Sequence, residues 1–378
     1  QDRLCKGSPL YTTNELRTYV KEDLRLLADV NPDAVIGDFR LSLSISARTA
    51  AIPFLTVTNA HWSPHARPHF IVPELAITER FGSRLGQTLF TLMRPFVFAQ
   101  QAFALNHVRK EYGLPSVGYS LQKIFTEADE TLYADLPDLV PTFERPRHHR
   151  YLGPVLWAPE EEPQWWATVP DVRPMAYVSL GTSGRQELLP TVLLVLHRLG
   201  IGALVSTAGR RPPDYLPDNT WIAPYLPGLE AARRADLVIC NGGSATTYQA
   251  FAAGVPVLGI PTNLDQYLMM NYVQQYGAGE YVRAGEASVS ILTQIVTQIL
   301  DNPNYRLRAG RLGELIATGQ PQVKLDQVLT KVLGIGEDQA CATSAIPLGA
   351  SSTYGGRRLD REHSPQTLPA AGLIINRE

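Results

Sequence analysis

Short apolar runs alternate with amphipathic helical patterns twice along this chain, and that rhythm admits few folds. Near the start, Thr12 and Glu15 stand at the spacing of a capping box, in which hydroxyl and carboxylate satisfy free amides at a helix start. Leu16, Val20, Leu24 and Leu27 then recur every three or four residues, one apolar face of a helix that Asn31-Pro32 ends. Ala34 to Gly37 reads as a buried strand, Leu41 to Ala51 as a helix and Phe54 to Val57 as a second strand. Strands separated by helices cannot pair as hairpins, so they must lie parallel with the helices covering the sheet. An irregular stretch from Asn59 to Pro73 precedes a long helical pattern, Leu85 to Tyr112. Strand signals follow at Thr131 to Tyr133 and Arg150 to Leu152.

The segment from Gly153 to Pro174 holds five prolines and three consecutive glutamates and reads as a linker. The alternation then restarts, with strands at Met175–Ser179, Ala203–Thr207, Trp221–Ala223, Asp236–Cys240, Val255–Ile260 and Gly279–Val282. Helical patterns cover Glu187–Leu199, Leu229–Arg234, Thr246–Ala253, Asp265–Tyr276 and Val289–Leu300, and the last runs to Leu333. The division expected is therefore 1–153, a linker 154–173, a second domain 174–333 with a closing helix, and a disordered tail 334–378 without periodicity. A length of 378 residues suits two such domains at roughly 150 residues each.

Composition narrows the function. Lys+Arg 34 against Asp+Glu 36 leaves a net charge of -2, which argues against nucleic acid or an anionic membrane surface as the main partner. No apolar run is long enough to span a membrane, although peripheral contact stays open. Cys5, Cys240 and Cys341 are odd in number and far apart, and no metal-ligand spacing occurs, so neither a disulfide framework nor a metal or other cofactor is expected. The scattered cysteines fit a reducing, cytoplasmic compartment, and a start at Gln1 without a signal peptide suggests a fragment of a longer protein.

The chemistry concentrates between Asp236 and Gln266. A strand ending in Cys240 runs into Asn241-Gly242-Gly243-Ser244-Ala245-Thr246, where a helix opens. Free amides at a helix start, with the hydroxyls of Ser244 and Thr246, suit a diphosphate, though a Gly-Gly pair also serves a plain turn. Gln249 follows one helical turn later. Beyond the next strand, Asp265 and Gln266 could meet adjacent hydroxyls, or merely cap a helix.

These residues resemble the donor signature of the UDP-sugar-dependent glycosyltransferase superfamily, whose GT-B fold sets two Rossmann-like domains face to face. The family pattern His-Gly-Gly-x-Gly-Thr-x-x-Glu-Ala, then Gly-Val-Pro, then Pro-x-x-x-Asp-Gln stands here as Asn241 to Ala250, Gly254-Val255-Pro256 and Pro261 to Gln266. Tyr225-Leu226-Pro227-Gly228 sits where the family backbone meets the base, and Gly181-Thr182-Ser183 where a loop approaches the phosphates. The resemblance implies an α/β chain of GT-B architecture with parallel sheets, the first strands of the amino-terminal domain missing. It further implies an inverting glycosyltransferase using a UDP or dTDP sugar on a hydroxyl of a small or lipophilic acceptor. Two departures, Asn241 for the family histidine and Gln249 for the family glutamate, weaken the expected grip on the nucleotide. They keep open a catalytically silent binding relative or helper of a partner transferase.

Asp38 stands where the family has an aspartate that orients a catalytic histidine, although it also suits a helix cap. The resemblance puts that histidine far upstream, before Gln1, so the chain as given is expected to lack its base. His61, Trp62 and His65 occupy the loop where acceptors bind in this fold, or are ordinary surface residues. His148 and His149, beside Arg145, Arg147 and Arg150, read as a solvated basic face. Trp62, Phe70, Phe81, Phe90 and Phe96 hint at a lipophilic acceptor, and packing accounts for them equally well.

Overall fold

The computed structural model describes residues 10–159, 161–171, 173–334 and 372–375. Helix α1 (Thr13–Val30) opens on the capping box: Thr12 Oγ1 accepts from the Glu15 amide, and Glu15 Oε2 accepts from the Thr12 amide at 2.8 Å. It buries Leu16, Val20 and Leu27 as their spacing requires. Strand β1 (Ala34–Asp38), α2 (Leu43–Thr49) and β2 (Phe54–Thr58) follow. The helix expected from Leu85 to Tyr112 is α4 (Ser83–Glu111), and a short helix that the sequence did not announce, α3 (Ala76–Phe81), precedes it, with Gly82 at φ +83° breaking the backbone between them. After α5 (Leu121–Phe125), β3 (Glu130–Tyr133) and β4 (His149–Tyr151) complete a parallel row β1-β2-β3-β4.

The second domain holds β5 (Met175–Ser179), α6 (Leu189–Arg198), β6 (Gly202–Ser206), β7 (Thr220–Ala223), α7 (Gly228–Arg233), β8 (Leu237–Cys240), α8 (Ser244–Ala252), β9 (Val257–Gly259), α9 (Leu264–Tyr276) and β10 (Gly279–Tyr281). Its strand order, β7-β6-β5-β8-β9-β10, is all parallel and doubly wound. The winding reverses between β5 and β8, so the loops after those strands part and leave a crevice at their carboxyl ends.

Helices α10 (Val289–Asp301), α11 (Pro303–Thr318) and α12 (Pro321–Leu333) close the described helical part. By packing, α12 belongs to the first domain: Val328 and Leu333 join Ala34, Ile36, Leu55 and Leu132 in one apolar cluster. The stretch expected to be a disordered tail contains β11 (Gly372–Ile375), antiparallel to β1 with Val35 opposite Ile374. The first sheet is therefore mixed, and the edge of β1 that the resemblance leaves to earlier strands is taken by β11. The rest of 334–378 beyond Gly334 lies outside the described residues. The linker is docked as well: Trp166 is buried, the Arg234 guanidinium lies 4.3 Å from its ring centroid, and Arg234 donates to its carbonyl.

The domains share a core in which Ala60, Tyr133, Leu136 and Val140 pack with Tyr248, Phe251, Met269 and Met270. A buried polar clasp crosses it. Tyr248 Oη donates to Asp135 Oδ1 at 2.7 Å, and Asp135 Oδ2 accepts from the Ala60 amide at 2.5 Å. Tyr248→Phe removes one donor from a buried carboxylate without changing shape. It should lower unfolding free energy by about 1.5–3 kcal/mol in urea titration; no loss would mean the clasp contributes nothing.

Candidate functional site

The crevice of the second domain is built by glycine. Gly181 adopts φ +61°, and a Cβ there would lie 2.8 Å from Asn241 Nδ2. Gly242 adopts φ +77°, and a Cβ there would lie 2.4 Å from Met270 Cγ. Both turns hold only because no side chain projects. Asn241 braces them: its Nδ2 donates to Ser183 Oγ at 3.2 Å, and its Oδ1 accepts from the Gly243 amide at 3.0 Å. No side chain caps α8, whose N-cap is Gly243. Its first amides are open, and Ser244 Oγ is buried without a hydrogen-bond partner. Together they form a cradle for an anion.

The other expected donor residues divide. Gln266 is a strut: Nε2 donates to Ser183 Oγ at 3.0 Å, while Oε1 accepts from the Thr262 amide at 2.8 Å. Gln249 turns toward the linker, its Nε2 donating to the Trp157 carbonyl at 2.6 Å. Leu226 is buried in the shared core, which leaves its backbone as the part that can meet a ligand. Thr182 is exposed on the loop, and Thr246 half-buried in the first turn of α8.

Asp265 shows what sequence spacing did not reveal. Its Oδ1 accepts from His61 Nε2 at 2.9 Å and from Trp62 Nε1 at 2.7 Å, both on the short turn Ala60–Trp62 that follows β2. The three residues therefore meet across the cleft. Burial alone would raise the Asp265 pKa, but the His61 hydrogen bond and charge, with the Trp62 indole, hold it below the ordinary 3.8. About a third of its side chain stays accessible, at 30%. His61 is fully buried, with Nδ1 unpartnered. A proton on Nε2 toward the carboxylate leaves a lone pair on Nδ1, the arrangement of a general base with its orienting acid.

Asp38 ends β1 beside this group. Desolvation in the cleft and the nearby Asp265 charge both raise its pKa above 3.8. Phe39, next in the chain, is held at φ +49°, a strained value for a bulky residue. His61 and Trp62 are thus not surface loop residues. His65 is apart from them, edge-on to His149 with centroids 5.4 Å apart. His149, expected on a solvated face, is buried. Its Nδ1 lies 2.6 Å from Tyr133 Oη, which in turn lies 2.7 Å from Ser63 Oγ. Burial, then the neighbouring His148, lower its pKa to about 4. Among the described residues no group of three His, Cys, Asp or Glu converges to hold a metal ion, and no helix is long and apolar enough to cross a membrane.

Residues 203–329 match the family model of the erythromycin biosynthesis protein CIII-like C-terminal domain. Over 324 residues the chain is 45% identical to a PGL/p-HBAD biosynthesis rhamnosyltransferase of Mycobacterium bovis (strain BCG / Pasteur 1173P2), covering 85% of this chain and 72% of that one. An inactive PGL/p-HBAD biosynthesis glycosyltransferase of the same strain is 47% identical over 197 residues, 52% of this chain and 54% of its own. Among solved structures, the spinosyn rhamnosyltransferase SpnG complexed with thymidine diphosphate aligns at a TM-score of 0.61. It is 18% identical, with 84% of this chain and 78% of that chain covered.

The two carboxylates predict opposite pH behaviour. The fold disfavours charged Asp38, so Asp38→Asn should melt no lower than the parent at pH 7, the difference closing as pH falls toward 3.8, where the raised folded pKa is already passed. The fold favours charged Asp265, so Asp265→Asn should melt lower at pH 7, and that gap too should close below 3.8. Melting curves of both variants at neutral and acid pH check the signs.

Proposed function

We propose, for a chain that belongs to the GT-B glycosyltransferases and is an enzyme of that family, a transfer with inversion from a nucleoside diphosphate sugar to an acceptor hydroxyl. One observation carries this reading. An uncapped helix start with an unpartnered buried Ser244 hydroxyl shares a cleft with the Asp265–His61 pair. The first supplies what a leaving diphosphate needs, and the second what an attacking hydroxyl needs.

In this mechanism the diphosphate rests on the amides of α8 and on Ser244, with the Gly181–Ser183 loop over it. The accessible side of Asp265 accepts from a sugar hydroxyl. The acceptor oxygen attacks the anomeric carbon from the face opposite the phosphate. As that bond forms, the carbon–oxygen bond to the diphosphate breaks and the hydroxyl proton passes to His61 Nδ1, which an acceptor reaches only by displacing the side chains that bury it. Imidazolium forms beside Asp265, which stabilises it. The electron pair leaves with the diphosphate, whose charge the helix N-terminus stabilises. His61 is the base that the described residues supply; the upstream histidine implied by the family resemblance is the competing assignment, with Asp38 as its orienter.

The deoxyribose nucleotide seen with SpnG supports a thymidine diphosphate donor. Gln249, with one acceptor oxygen and its amide turned to Trp157, offers little to a second ribose hydroxyl. The mycobacterial relative's name supports rhamnose as the sugar.

Calorimetry with thymidine diphosphate and with its rhamnose conjugate tests the site. Ser244→Ala should weaken both ligands, whereas Asp265→Ala should weaken the conjugate more, by roughly 1–3 kcal/mol for an unpaired polar partner. Equal losses for Asp265→Ala would remove it from the sugar. In turnover assays with hydroxyl acceptors, His61→Gln should lower kcat by about 10²–10⁴-fold with donor affinity retained. An unchanged kcat would move the base elsewhere, and a parent chain that binds donor without turnover would favour the silent relative.

A further inference from the structure

Directly after the Ala60–Trp62 turn begins a buried row of polar groups that the transfer chemistry does not use. Ser63, Tyr133 and His149 are each at most 4% exposed. Their polar atoms touch in sequence, Ser63 Oγ to Tyr133 Oη at 2.7 Å and Tyr133 Oη to His149 Nδ1 at 2.6 Å. The His65 amide donates to Ser63 Oγ at 3.0 Å, and Gln122 Nε2 donates to the Ser63 carbonyl at 2.8 Å. Burying polar groups of this kind is costly unless each finds a partner, and the row supplies those partners from within.

The row has a direction. Burial, then the neighbouring His148, lower the His149 pKa to about 4. The imidazole is therefore neutral at pH 7, and Nδ1 can accept the Tyr133 proton. Tyr133 Oη then accepts from Ser63, whose own oxygen accepts from the His65 amide. Burial pushes the Tyr133 phenol up to about 12, so it keeps its proton to donate.

The chain just past β3 holds the other side of the same turn. Asp135 Oδ2, two residues after Tyr133, accepts from the Ala60 amide at 2.5 Å and from Asn59 Nδ2 at 3.3 Å. The carboxyl end of β3 thus grips the turn before His61, at Asn59 and Ala60, and after it, at Ser63. Between the two grips stand His61 and Trp62, whose ring nitrogens lie 2.9 and 2.7 Å from Asp265 Oδ1. The Asp135 grip is shared with Tyr248 of the second domain, whereas the Tyr133 hydroxyl bonds within the first.

We propose that Tyr133 is the positioning residue of His61: its hydroxyl, held by His149, fixes Ser63 and so keeps the His61 imidazole against Asp265. The inference rests on the reading of His61 as the base and concerns what aims it. Without the hydroxyl, Ser63 Oγ and His149 Nδ1 both lose a buried partner. A turn displaced by about 1 Å can cost on the order of 10²-fold in rate.

Nitrogen-15 NMR of the histidine rings, with the His61 signals assigned from His61→Gln, tests this without requiring turnover. Tyr133→Phe keeps the ring in the core and removes the hydroxyl, and it should displace the His61 ring signals. Ser63→Ala should displace them in the same direction, and it carries the test if Tyr133→Phe does not fold. Tyr305→Phe loses a hydroxyl bonded to Glu280 in the second domain, at 2.6 Å, and should leave them in place. In transfer assays Tyr133→Phe should lower kcat by about 10–100-fold with thymidine diphosphate affinity unchanged. His61 signals that coincide in the parent, Tyr133→Phe and Ser63→Ala overturn the proposal. So does an equal displacement in Tyr305→Phe, which would mark general loosening. An unchanged kcat for His61→Gln would instead remove the base reading, and the ring signals would still decide whether Tyr133 holds the turn.

Discussion

The Asp265 carboxylate is the point at which the two halves of this molecule become one site. It sits in the first turn of α9 on the second domain, yet its Oδ1 is held by His61 and Trp62 of the first. Without those two donors, a carboxyl in a desolvated cleft would be pushed toward its neutral form; with them it is held charged. The charge in turn raises the pKa of Asp38, and as an acceptor it favours the proton of His61 on the facing Nε2. One carboxylate thus bears on both of its polar neighbours in the cleft. The shared core and the Asp135–Tyr248 clasp keep the domains close enough for it to form.

The division of labour follows from topology. Parallel strands send their carboxyl ends to one side, so the loops after β5, β8 and β9 converge without any long-range instruction. Glycines at 181 and 242 let that backbone come close, and Asn241 locks it. The proposed anion cradle is therefore a property of the second domain alone. The proposed base and sugar contact are not, because they need residues about two hundred positions apart to touch, as His61 and Asp265 do.

That separation explains what the sequence could and could not reveal. The capping box at Thr12, the strand alternation and the Gly-Gly helix start are local patterns, and the structure reproduces each within a few residues. Gly243 and Ser244 are read as a helix start in the same way, and α8 opens there. What sequence spacing does not carry is partners. Gln266 bonds Ser183 and Thr262, and Gln249 bonds the linker carbonyl of Trp157. His149 looked solvated because its neighbours in sequence are basic, whereas its neighbour in space is Tyr133. Gly372–Ile375 lacked any periodicity, since a four-residue edge strand gives no pattern to read; only the open edge of β1 gives it a place.

The claim on which the rest stands is that Asp265 holds His61 with its proton on Nε2 and a free lone pair on Nδ1. Nitrogen-15 NMR of the histidine rings, with the His61 signal assigned by comparison with His61→Gln, reads that directly. At about pH 8.5, above the ordinary imidazole range, the account predicts a protonated Nε2 and an unprotonated Nδ1. Asp265→Asn should shift that distribution between the two nitrogens. A proton found on Nδ1 in the parent chain, or a distribution indifferent to Asp265→Asn, would contradict it.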